Sequence, residues 1–568
     1  MPANSRLHSR AAAPILLGFL TIAGCQDAAR PAPTEGAAQV TITYVCGNGF
    51  ELRNHSSLST TVHYTVLGTP ENGELTLPAA SPHSPSTTWL TTLERGSLQI
   101  SAPDEPGQPV SNGGAACLPP AAAVEPQATL GEWTAPFPWP TVAVHLHLLP
   151  DGRVLSWGRA GAPQIYDPST GSFHEVPSST MVFCSGHTFL PDGRLLVAGG
   201  HLDDRRGLPD ANIFDPATRV WSPIPNMRFA RWYPTSTTLA DGEVLTLGGT
   251  DERGDQVATP EVWTGSAWRS LSAASRSLPY YPRTFVAPNG LVFYAGELQQ
   301  TSYLDPAGQG RWIPVAYSHY GRRDYGSAVM YGPGKVLIVG GSDPPDGQPT
   351  STAEIIDLND QVPGWRYTEP MHHARRQFNA TLLPDGQVLV TGGTSSGGFS
   401  DPSGAVHAAE LWNPGTKRWS ELGANQVNRV YHSTTLLLPD GRVLHSGSGD
   451  GPGLPRELNA EIYSPPYLFW GPRPVLEEAP NRIGYEQPFF IATPNAGRVV
   501  RVTLVRLPSV THAFDQSQRF VELAFQRVAG GLKVTAPLSG RIAPPGPYLL
   551  SILNDTGVPA TSKIIQLS

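Results

Sequence analysis

Apolar and polar positions alternate along the middle of the chain in a phrase that recurs seven times. Residues 149–155 (LPDGRVL) are one copy, in which a glycine turn separates two apolar runs. The turn glycines are Gly152, Gly193, Gly242, Gly290, Gly334, Gly386 and Gly441, spaced by 41, 49, 48, 44, 52 and 55 residues. Asp-Gly between apolar runs predicts a tight β-hairpin, because the turn requires positive φ.

A second phrase follows several copies and predicts two further strands. It occurs at residues 164–168, at 212–216 with Trp221, and at 410–414 with Trp419. Glycine pairs such as Gly199-Gly200, Gly248-Gly249, Gly340-Gly341 and Gly392-Gly393 end the preceding hairpins. One repeat therefore predicts a four-stranded sheet, and this period is typical of a kelch-type β-propeller. We expect seven blades over residues 129–470, the last completed by residues 130–133.

The segments that flank the repeats also have strand patterns. Residues 498–505, 520–525, 532–536 and 548–553 predict an immunoglobulin-like β-sandwich over residues 471–568. Alternating residues at 40–45 and 61–66 predict a small β domain over residues 39–122. The expected fold class is all-β throughout.

Composition supports this assignment and excludes several classes of protein. Glycine (59) and proline (58) are frequent, and charged residues are only 15% of the 568 residues, which argues against coiled coils and helical bundles. A hydrophobic content of 39% is sufficient for a large core. The net charge of −8 and the lack of a basic stripe make nucleic acid an unexpected partner.

The N-terminus has the pattern of an export signal. Arg6 and Arg10 precede a short apolar run, which is too short to span a bilayer as a mature helix. Its end, residues 22–25 (IAGC), resembles a bacterial lipobox, which implies a signal peptide over residues 1–24 and lipidation of Cys25. An ordinary signal peptide is the alternative. Residues 25–38 are then a polar tether, and the protein is lipid-anchored in the cell envelope or secreted.

The four cysteines leave one without a partner. Cys46 and Cys117 bracket the small N-terminal domain and predict a disulfide in an oxidising compartment. With Cys25 assigned to lipid, Cys184 has no thiol partner. It is either a buried inert residue or a residue with its own chemistry.

Equivalent positions in the repeats indicate a site. Nine residues before each turn glycine lie Ala143, Cys184, Tyr233, Tyr281, Tyr325, Gln377 and His432, with Tyr431 before the last. Repeats related by pseudo-rotation place such residues around one axis. The set is rich in side chains that ligate metal or carry a radical. A polar propeller mouth whose aromatic residues bind a ligand is the alternative.

Four motifs resemble the galactose oxidase and glyoxal oxidase family of copper radical oxidases. They are residues 183–186 (FCSG), 231–234 (RWYP), 431–432 (YH) and 510–512 (VTH), in the family's order. The resemblance extends from about Thr129 to Ser568 and leaves the N-terminal domain unmatched.

The resemblance implies a role for each matched residue. Cys184 is bonded through sulfur to a ring carbon of Tyr233, which is both a copper ligand and the radical site. Tyr431 is the axial phenolate, and His432 and His512 are equatorial imidazoles of one Cu(II) per chain. The thioether accounts for the unpaired cysteine, and His512 requires the C-terminal domain to reach into the propeller mouth.

The implied chemistry suits these residue types. Two imidazoles with oxygen ligands favour tetragonal Cu(II) with an open position. A primary alcohol or hydrated aldehyde loses a proton to Tyr431 and a hydrogen atom to the Tyr233 radical. O2 then re-oxidises the site and is released as H2O2. The motifs around Cys184 and Tyr233 are closer to glyoxal oxidase, so small aldehydes or glycan ends are the expected substrates. We expect a monomer.

Some residues stay open at this point. Family members usually shield the radical with an aromatic residue, but strand alternation points Trp232 away from Tyr233, so no shield is assigned. Arg322 and Arg323 either contact a polar substrate or form a solvated turn. His145 and His147 are more typical of core or surface positions than of a metal site.

The alternative function is a non-catalytic, surface-tethered propeller that binds glycans or proteins, because propellers host both classes. The complete set of Cys184, Tyr233, Tyr431, His432 and His512 favours the oxidase.

Overall fold

The computed structural model describes residues 40–46, 49–80, 86–91, 97–102, 105–106, 125–451 and 454–568. The export segment, Cys25, Cys117 and the side chain of Cys46 lie outside this description, so the lipid and disulfide assignments stay predictions. The chain forms two compact units, Met1–Ala123 and Val124–Ser568. In the described part of the chain, no helix has the length and apolarity needed to cross a membrane.

The first unit contains two small antiparallel sheets. Their strands are Val40–Cys46, Gly49–Asn54 and Ser86–Thr91 in one, and Asn72–Leu77, Thr60–Val66, Leu98–Ala102 and Glu105–Pro106 in the other. The alternation seen in the sequence is reproduced, since Val62 and Val66 are buried while Thr61 and His63 are exposed.

The second unit contains seven antiparallel sheets with four repeat strands each, numbered here in chain order; sheet 1 has two further strands and sheet 7 has one. Sheets 1 to 4 comprise His145–Leu148, Val154–Trp157, Gln164–Asp167 and Ser172–Glu175; Gly186–Phe189, Leu195–Ala198, Ala211–Asp215 and Val220–Ile224; Thr235–Thr238, Val244–Leu247, Glu261–Trp263 and Trp268–Ser270; and Thr284–Val286, Val292–Tyr294, Gln300–Asp305 and Arg311–Tyr317. Sheets 5 to 7 comprise Ser327–Gly332, Lys335–Val339, Ala353–Asp357 and Arg366–Thr368; Arg376–Leu382, Val388–Thr394, Ala408–Asn413 and Arg418–Ala424; and Thr434–Leu437, Val443–Ser446, Asn459–Ser464 and Glu132–Trp133.

The structure shows the expected turns and the expected extra strand of the last repeat. All seven turn glycines have positive φ, between 75° and 91°, as the hairpins require. Sheet 7 takes its outer strand from the start of the unit, where Trp133 pairs with Tyr463. Phe137–Pro138 pairs with the same strand of that sheet. Helical segments are short: Pro126–Leu130 is α-helical, and Ser272–Ala274, Pro402–Gly404, Pro466–Phe469 and Ala496–Arg498 are 3-10 turns.

The C-terminal part adds two sheets. One comprises Arg482–Ile483, Lys563–Leu567, Gly546–Asn554, Val499–Arg506 and Phe520–Leu523, and the other Pro488–Ala492, Gly531–Thr535 and Phe525–Val528. The run predicted over residues 520–525 is therefore divided between two sheets.

A hairpin from this C-terminal part joins sheet 1. Its strands are Ser509–Thr511 and Phe514–Asp515, and the first pairs with the inner strand of sheet 1, with Thr511 opposite His145. His512 lies at the tip of this hairpin. The C-terminal part thus delivers a side chain to the centre of the sheets.

A buried ion pair recurs in four of the seven sheets. Arg231, Arg323, Arg375 and Arg429 each pair with a glutamate of the third strand, Glu261, Glu354, Glu410 and Glu461 respectively. Each arginine also donates to the carbonyl of Gly248, Gly340, Gly392 or Gly447 at the end of the second strand, at 2.9–3.0 Å. The pair therefore fixes the segment just before the first strand onto strands two and three of the same sheet.

We expect Arg429→Leu to destabilise the second unit, because it leaves the Glu461 carboxylate buried and unpaired. Removing one partner of a buried pair costs about 3–5 kcal/mol. Thermal unfolding followed by circular dichroism should show a midpoint several degrees lower. The matched control is Arg442→Leu, which removes the partially exposed pair with Asp440 and should cost at most about 1 kcal/mol. Equal midpoints for the two variants would contradict the structural role of the buried pair.

Candidate active site

The position nine residues before each turn glycine has an unusual backbone. Six of the seven residues there adopt the left-handed conformation: Cys184, Tyr233, Tyr281, Tyr325, Gln377 and His432, with φ between 46° and 68°. Non-glycine residues seldom occupy this region, which costs about 1–2 kcal/mol per residue. Ala143, the equivalent in sheet 1, is not among them.

Backbone hydrogen bonds connect these residues from one sheet to the next. Tyr233 donates its N–H to the carbonyl of Cys184, Tyr281 donates to Tyr233, and Gln377 donates to Tyr325, each at 2.9 Å. The shared offset in the sequence therefore corresponds to direct contact between neighbouring sheets.

Four predicted ligand atoms converge on one point. The hydroxyl of Tyr233 lies 2.6 Å from the hydroxyl of Tyr431, 2.7 Å from Nε2 of His512 and 3.4 Å from Nε2 of His432. All four side chains are buried, with at most 6% of their surface exposed. Tyr233 lies just before the first strand of sheet 3, and Tyr431 and His432 lie just before the first strand of sheet 7. His512 comes from the tip of the C-terminal hairpin.

Hydrogen bonds set the tautomer of both imidazoles. Nδ1 of His432 is 2.6 Å from the carbonyl of Gly449, which can only accept, so this nitrogen carries the proton. The Thr511 hydroxyl donates to the carbonyl of Val144 and therefore accepts from Nδ1 of His512. Both imidazoles consequently direct an Nε2 lone pair at Tyr233, as a metal ligand must.

Burial sets the protonation of these groups in the absence of a cation. It lowers the pKa of His432 to about 3 and that of His512 well below its usual value, with His432 adding to the second effect. Burial also raises the pKa of Tyr233 and Tyr431. The imidazoles are therefore neutral at ordinary pH, and the phenols ionise only when a cation is near. Two neutral imidazoles and two phenols are a donor set that fits Cu(II).

Cys184 lies beside Tyr233. Both are buried and pack in one apolar cluster with Phe183, Trp232 and Tyr281. Burial raises the pKa of the Cys184 thiol, and contact with Tyr233 partly offsets this. Cys184 is a buried free thiol.

A chain of buried histidines holds the Cys184 backbone. The N–H of Cys184 donates to Nε2 of His145, whose Nδ1 then donates to Nε2 of His187, at 3.0 and 2.9 Å. Nδ1 of His187 in turn donates to the Ser509 hydroxyl, which also contacts His147. His145 and His147 are thus core residues and not a separate metal site. They connect Cys184 to the hairpin that carries His512.

Trp232 corrects one expectation from the sequence. Its ring stacks on Tyr233, with centroids 3.5 Å apart and planes inclined by 7°. Strand alternation predicts the opposite direction, but Tyr233 is left-handed, so the segment is not a regular strand at this residue. The indole is the aromatic cover that the sequence pattern leaves unassigned.

A cavity of about 480 Å³ opens onto Tyr233, Tyr431 and His432. Phe183, Trp232, Tyr280, Tyr325 and Phe399 contribute aromatic walls, and Arg159, Asp204, Arg205, Arg322, Asp324, Pro345, Asp346, Asp450 and Gly451 complete the lining. Arg322 therefore does face the mouth, where it pairs with Glu297, whereas Arg323 is buried against Glu354. The cavity leads solvent and small molecules directly to the converging oxygens and nitrogens.

Comparison with known proteins gives consistent matches. Residues 473–567 match the Galactose oxidase-like, Early set domain, and residues 345–467 match the Glyoxal oxidase N-terminus. Galactose oxidase of Gibberella zeae is 29% identical over 498 residues, covering 78% of this chain and 71% of that protein. Aldehyde oxidase GLOX of Vitis pseudoreticulata is 29% identical over 471 residues, covering 74% and 89%.

A solved structure shares the fold. It is a fungal alcohol oxidase of the AA5 family in complex with copper, with a TM-score of 0.72, 24% identity and coverage of 78% of this chain and 100% of that one. The fold is all-β and galactose oxidase-like. The predicted resemblance to the galactose oxidase and glyoxal oxidase family of copper radical oxidases is confirmed, and so is the predicted enzyme class.

Buried histidines predict acid sensitivity of the metal-free protein. His445 is fully buried in sheet 7, and in the described part of the chain neither ring nitrogen has a hydrogen-bond partner. Burial and the charge of Arg429 lower its pKa below the usual 6.5. The unfolded chain therefore binds the proton more readily, and the free energy of unfolding falls as pH drops below about 6.5, by up to about 1.4 kcal/mol per pH unit.

We expect His445→Leu to make the free energy of unfolding less dependent on pH between pH 6.5 and 5.5, because one fewer proton is taken up on unfolding. The pH dependence of the thermal midpoint measures this change. His174→Leu, at an exposed position, is the control and should keep the wild-type pH dependence. An unchanged dependence in His445→Leu would show that the buried imidazole does not drive acid sensitivity.

Proposed function

We propose that this chain is an extracytoplasmic oxidase that converts primary alcohols or aldehydes with O2 to the oxidised product and H2O2. The observation that carries the proposal is the convergence of Tyr431, His432 and His512 on the Tyr233 hydroxyl at 2.6–3.4 Å. Glyoxal oxidase-like motifs at Cys184 and Tyr233 favour small aldehydes or glycan ends as substrates.

The donor set would hold one Cu(II) through Tyr233, Tyr431, His432 and His512. Copper bound there supplies one of the two oxidising equivalents that alcohol oxidation needs. The second resides on the ring of Tyr233, joined through a ring carbon to the sulfur of Cys184. Two observations support this cross-link: Cys184 and Tyr233 pack in the same apolar cluster, and the backbone N–H of Tyr233 donates a hydrogen bond to the carbonyl of Cys184. A thioether donates electron density and eases one-electron oxidation of the phenol.

The residues divide the reaction between them. Tyr431 lines the cavity and its hydroxyl lies beside that of Tyr233, so its phenolate oxygen is placed to receive the substrate hydroxyl proton. The oxidised ring of Tyr233 then removes a hydrogen atom from the carbon. Trp232 covers the face of that ring and limits access of solvent and reductants to it. The alcohol loses two hydrogens in total, and O2 accepts both as H2O2.

The arrangement of the sheets in the second unit is also part of the proposal. The seven sheets would form the blades of a kelch-type β-propeller, and the two C-terminal sheets an immunoglobulin-like sandwich. Contacts between the first strands of sheets 2 and 3, 3 and 4, 5 and 6, 6 and 7, and 7 and 1, and the apolar cluster that Phe285 of sheet 4 shares with Ala328 of sheet 5, support a closed ring. Between sheets 1 and 2, the strand Ser509–Thr511 contacts both inner strands.

The setting of the enzyme is proposed on the sequence alone. Export would supply O2 and an oxidising compartment, Cys25 would carry lipid or the chain would be secreted, and Cys46 would pair with Cys117. The protein would be a monomer whose partners are its small-molecule substrates and O2. Its only contact with the membrane would be through the lipid.

The decisive variant is Cys184→Ser. We expect copper-loaded, aerobically treated wild type to yield one cross-linked tryptic species, two hydrogens lighter than the separate peptides of Cys184 and Tyr233. Cys184→Ser should yield separate peptides and lose most peroxide production on alcohols and aldehydes. The fold should persist, because serine occupies nearly the same volume.

Wild type treated in the same way without copper and oxygen is the control and should give two unlinked peptides. Unlinked peptides after copper loading, together with no peroxide on any alcohol or aldehyde, would contradict the oxidase. A non-catalytic propeller that binds glycans or proteins would then account for the cavity and its aromatic lining.

A further inference from the structure

The indole that covers Tyr233 is itself held by a specific side chain. Nε1 of Trp232 donates a hydrogen bond to Nδ1 of His201 at 3.1 Å. An indole N–H is a donor only, so Nδ1 of His201 must be the acceptor and its proton resides on Nε2. The side chain of His201 is only 9% exposed.

His201 lies on an insertion that the repeat pattern does not predict. The strands His201–Asp203 and Arg206–Gly207 form a small hairpin between the second and third strands of sheet 2. Gly207 approaches the backbone of Arg231 so closely that a Cβ there would lie 2.2 Å from its carbonyl carbon. The hairpin is thus seated against the segment that carries Trp232.

Neighbouring side chains also contact the imidazole of His201. Phe183 packs against the His201 ring, with centroids 5.2 Å apart. Asp204 lies 3.9 Å from Nε2 and pairs with Arg159, which also lines the cavity. Tyr280 contacts Trp232 edge-on, with ring centroids 5.0 Å apart, and Tyr233 edge-on at 5.4 Å. The indole is therefore fixed in its plane by a hydrogen bond and in its tilt by aromatic edges.

We propose that His201 is a positioning residue that holds Trp232 parallel to Tyr233 and so sets the lifetime of the oxidised tyrosine. The consequence for the radical rests on the proposed function, while the contact itself does not. Parallel stacking at 3.5 Å places the π-electrons of the indole over the phenol. An accepted N–H bond makes the indole more electron-rich, which stabilises an electron-poor ring beneath it.

Loss of the acceptor has a defined result. In His201→Leu the indole N–H loses its acceptor, and an unsatisfied donor favours rotation toward water. Rotation about the side-chain torsions of Trp232 would end the parallel stack and open the face of Tyr233 to the cavity.

The first test observes the contact itself in metal-free protein labelled with ¹⁵N-tryptophan. The indole N–H resonance of Trp232 is assigned by its disappearance in Trp232→Phe. In His201→Leu we expect it to shift and to exchange with solvent faster by about threefold or more, the size expected for one lost hydrogen bond. His201→Gln, whose amide oxygen can accept, should restore slow exchange, and Leu202→Ala, exposed on the same strand, should match wild type. An unchanged resonance and exchange rate in His201→Leu would overturn the proposal.

The second test measures the radical. Hexachloroiridate(IV) takes one electron from the Tyr233 phenol and becomes iridium(III), while the phenolic proton passes to the buffer, and electron paramagnetic resonance follows the decay. We expect His201→Leu and Trp232→Phe to shorten the half-life by similar factors, and the double variant to add nothing further. A half-life that falls in Trp232→Phe but not in His201→Leu would overturn the proposal. Failure of the proposed function is separate, since it would show as absent peroxide in copper-loaded wild type while the indole test keeps its result.

Discussion

The left-handed backbone at one residue in each of six sheets is the constraint on which the site depends. At Cys184, Tyr233 and His432 it turns the chain just before the first strand and directs these side chains toward one another instead of across a strand. A residue stays in this strained conformation only where contacts with the surrounding structure hold it there. In sheets 3, 5, 6 and 7 the buried arginine two or three residues earlier does this by joining a glutamate and a glycine carbonyl of the same sheet. In these four sheets a buried ion pair thus supports the left-handed residue, and two of them, sheets 3 and 7, supply Tyr233 and His432.

The second support is the C-terminal hairpin. His512 reaches Tyr233 because Ser509–Thr511 pairs with the inner strand of sheet 1, and Thr511 fixes the tautomer of the imidazole. The same hairpin supplies Ser509 to the histidine chain that ends at the Cys184 backbone. One inserted element therefore positions both the distant ligand and the residue expected to modify Tyr233.

Much of this arrangement is predictable from the sequence. The repeat phrase predicts seven sheets with positive-φ turns, and its shared offset singles out Cys184, Tyr233 and His432. The position of Trp232 is not predictable in this way, because the period-two rule assumes extended backbone and a single left-handed residue breaks that rule. The buried pairs do have a signal in the sequence: an arginine lies two residues before the shared offset at Arg231, Arg323 and Arg375, and a glutamate recurs in the third strand. His201 has no such signal, because its hairpin is an insertion in one sheet only.

Binding of one metal ion by Tyr233, Tyr431, His432 and His512, beside a modified Cys184, is the feature on which the proposed chemistry depends. Anomalous diffraction at the copper edge, from crystals of aerobically copper-loaded protein, tests it most directly. We expect a single strong peak within bonding distance of both tyrosine oxygens and both Nε2 atoms, and continuous density from the Cys184 sulfur to the ring of Tyr233. A peak elsewhere, such as at the His201, Asp203 and Asp204 cluster, whose ligand atoms lie within 4.8 Å of one another, or no peak at all, would contradict it.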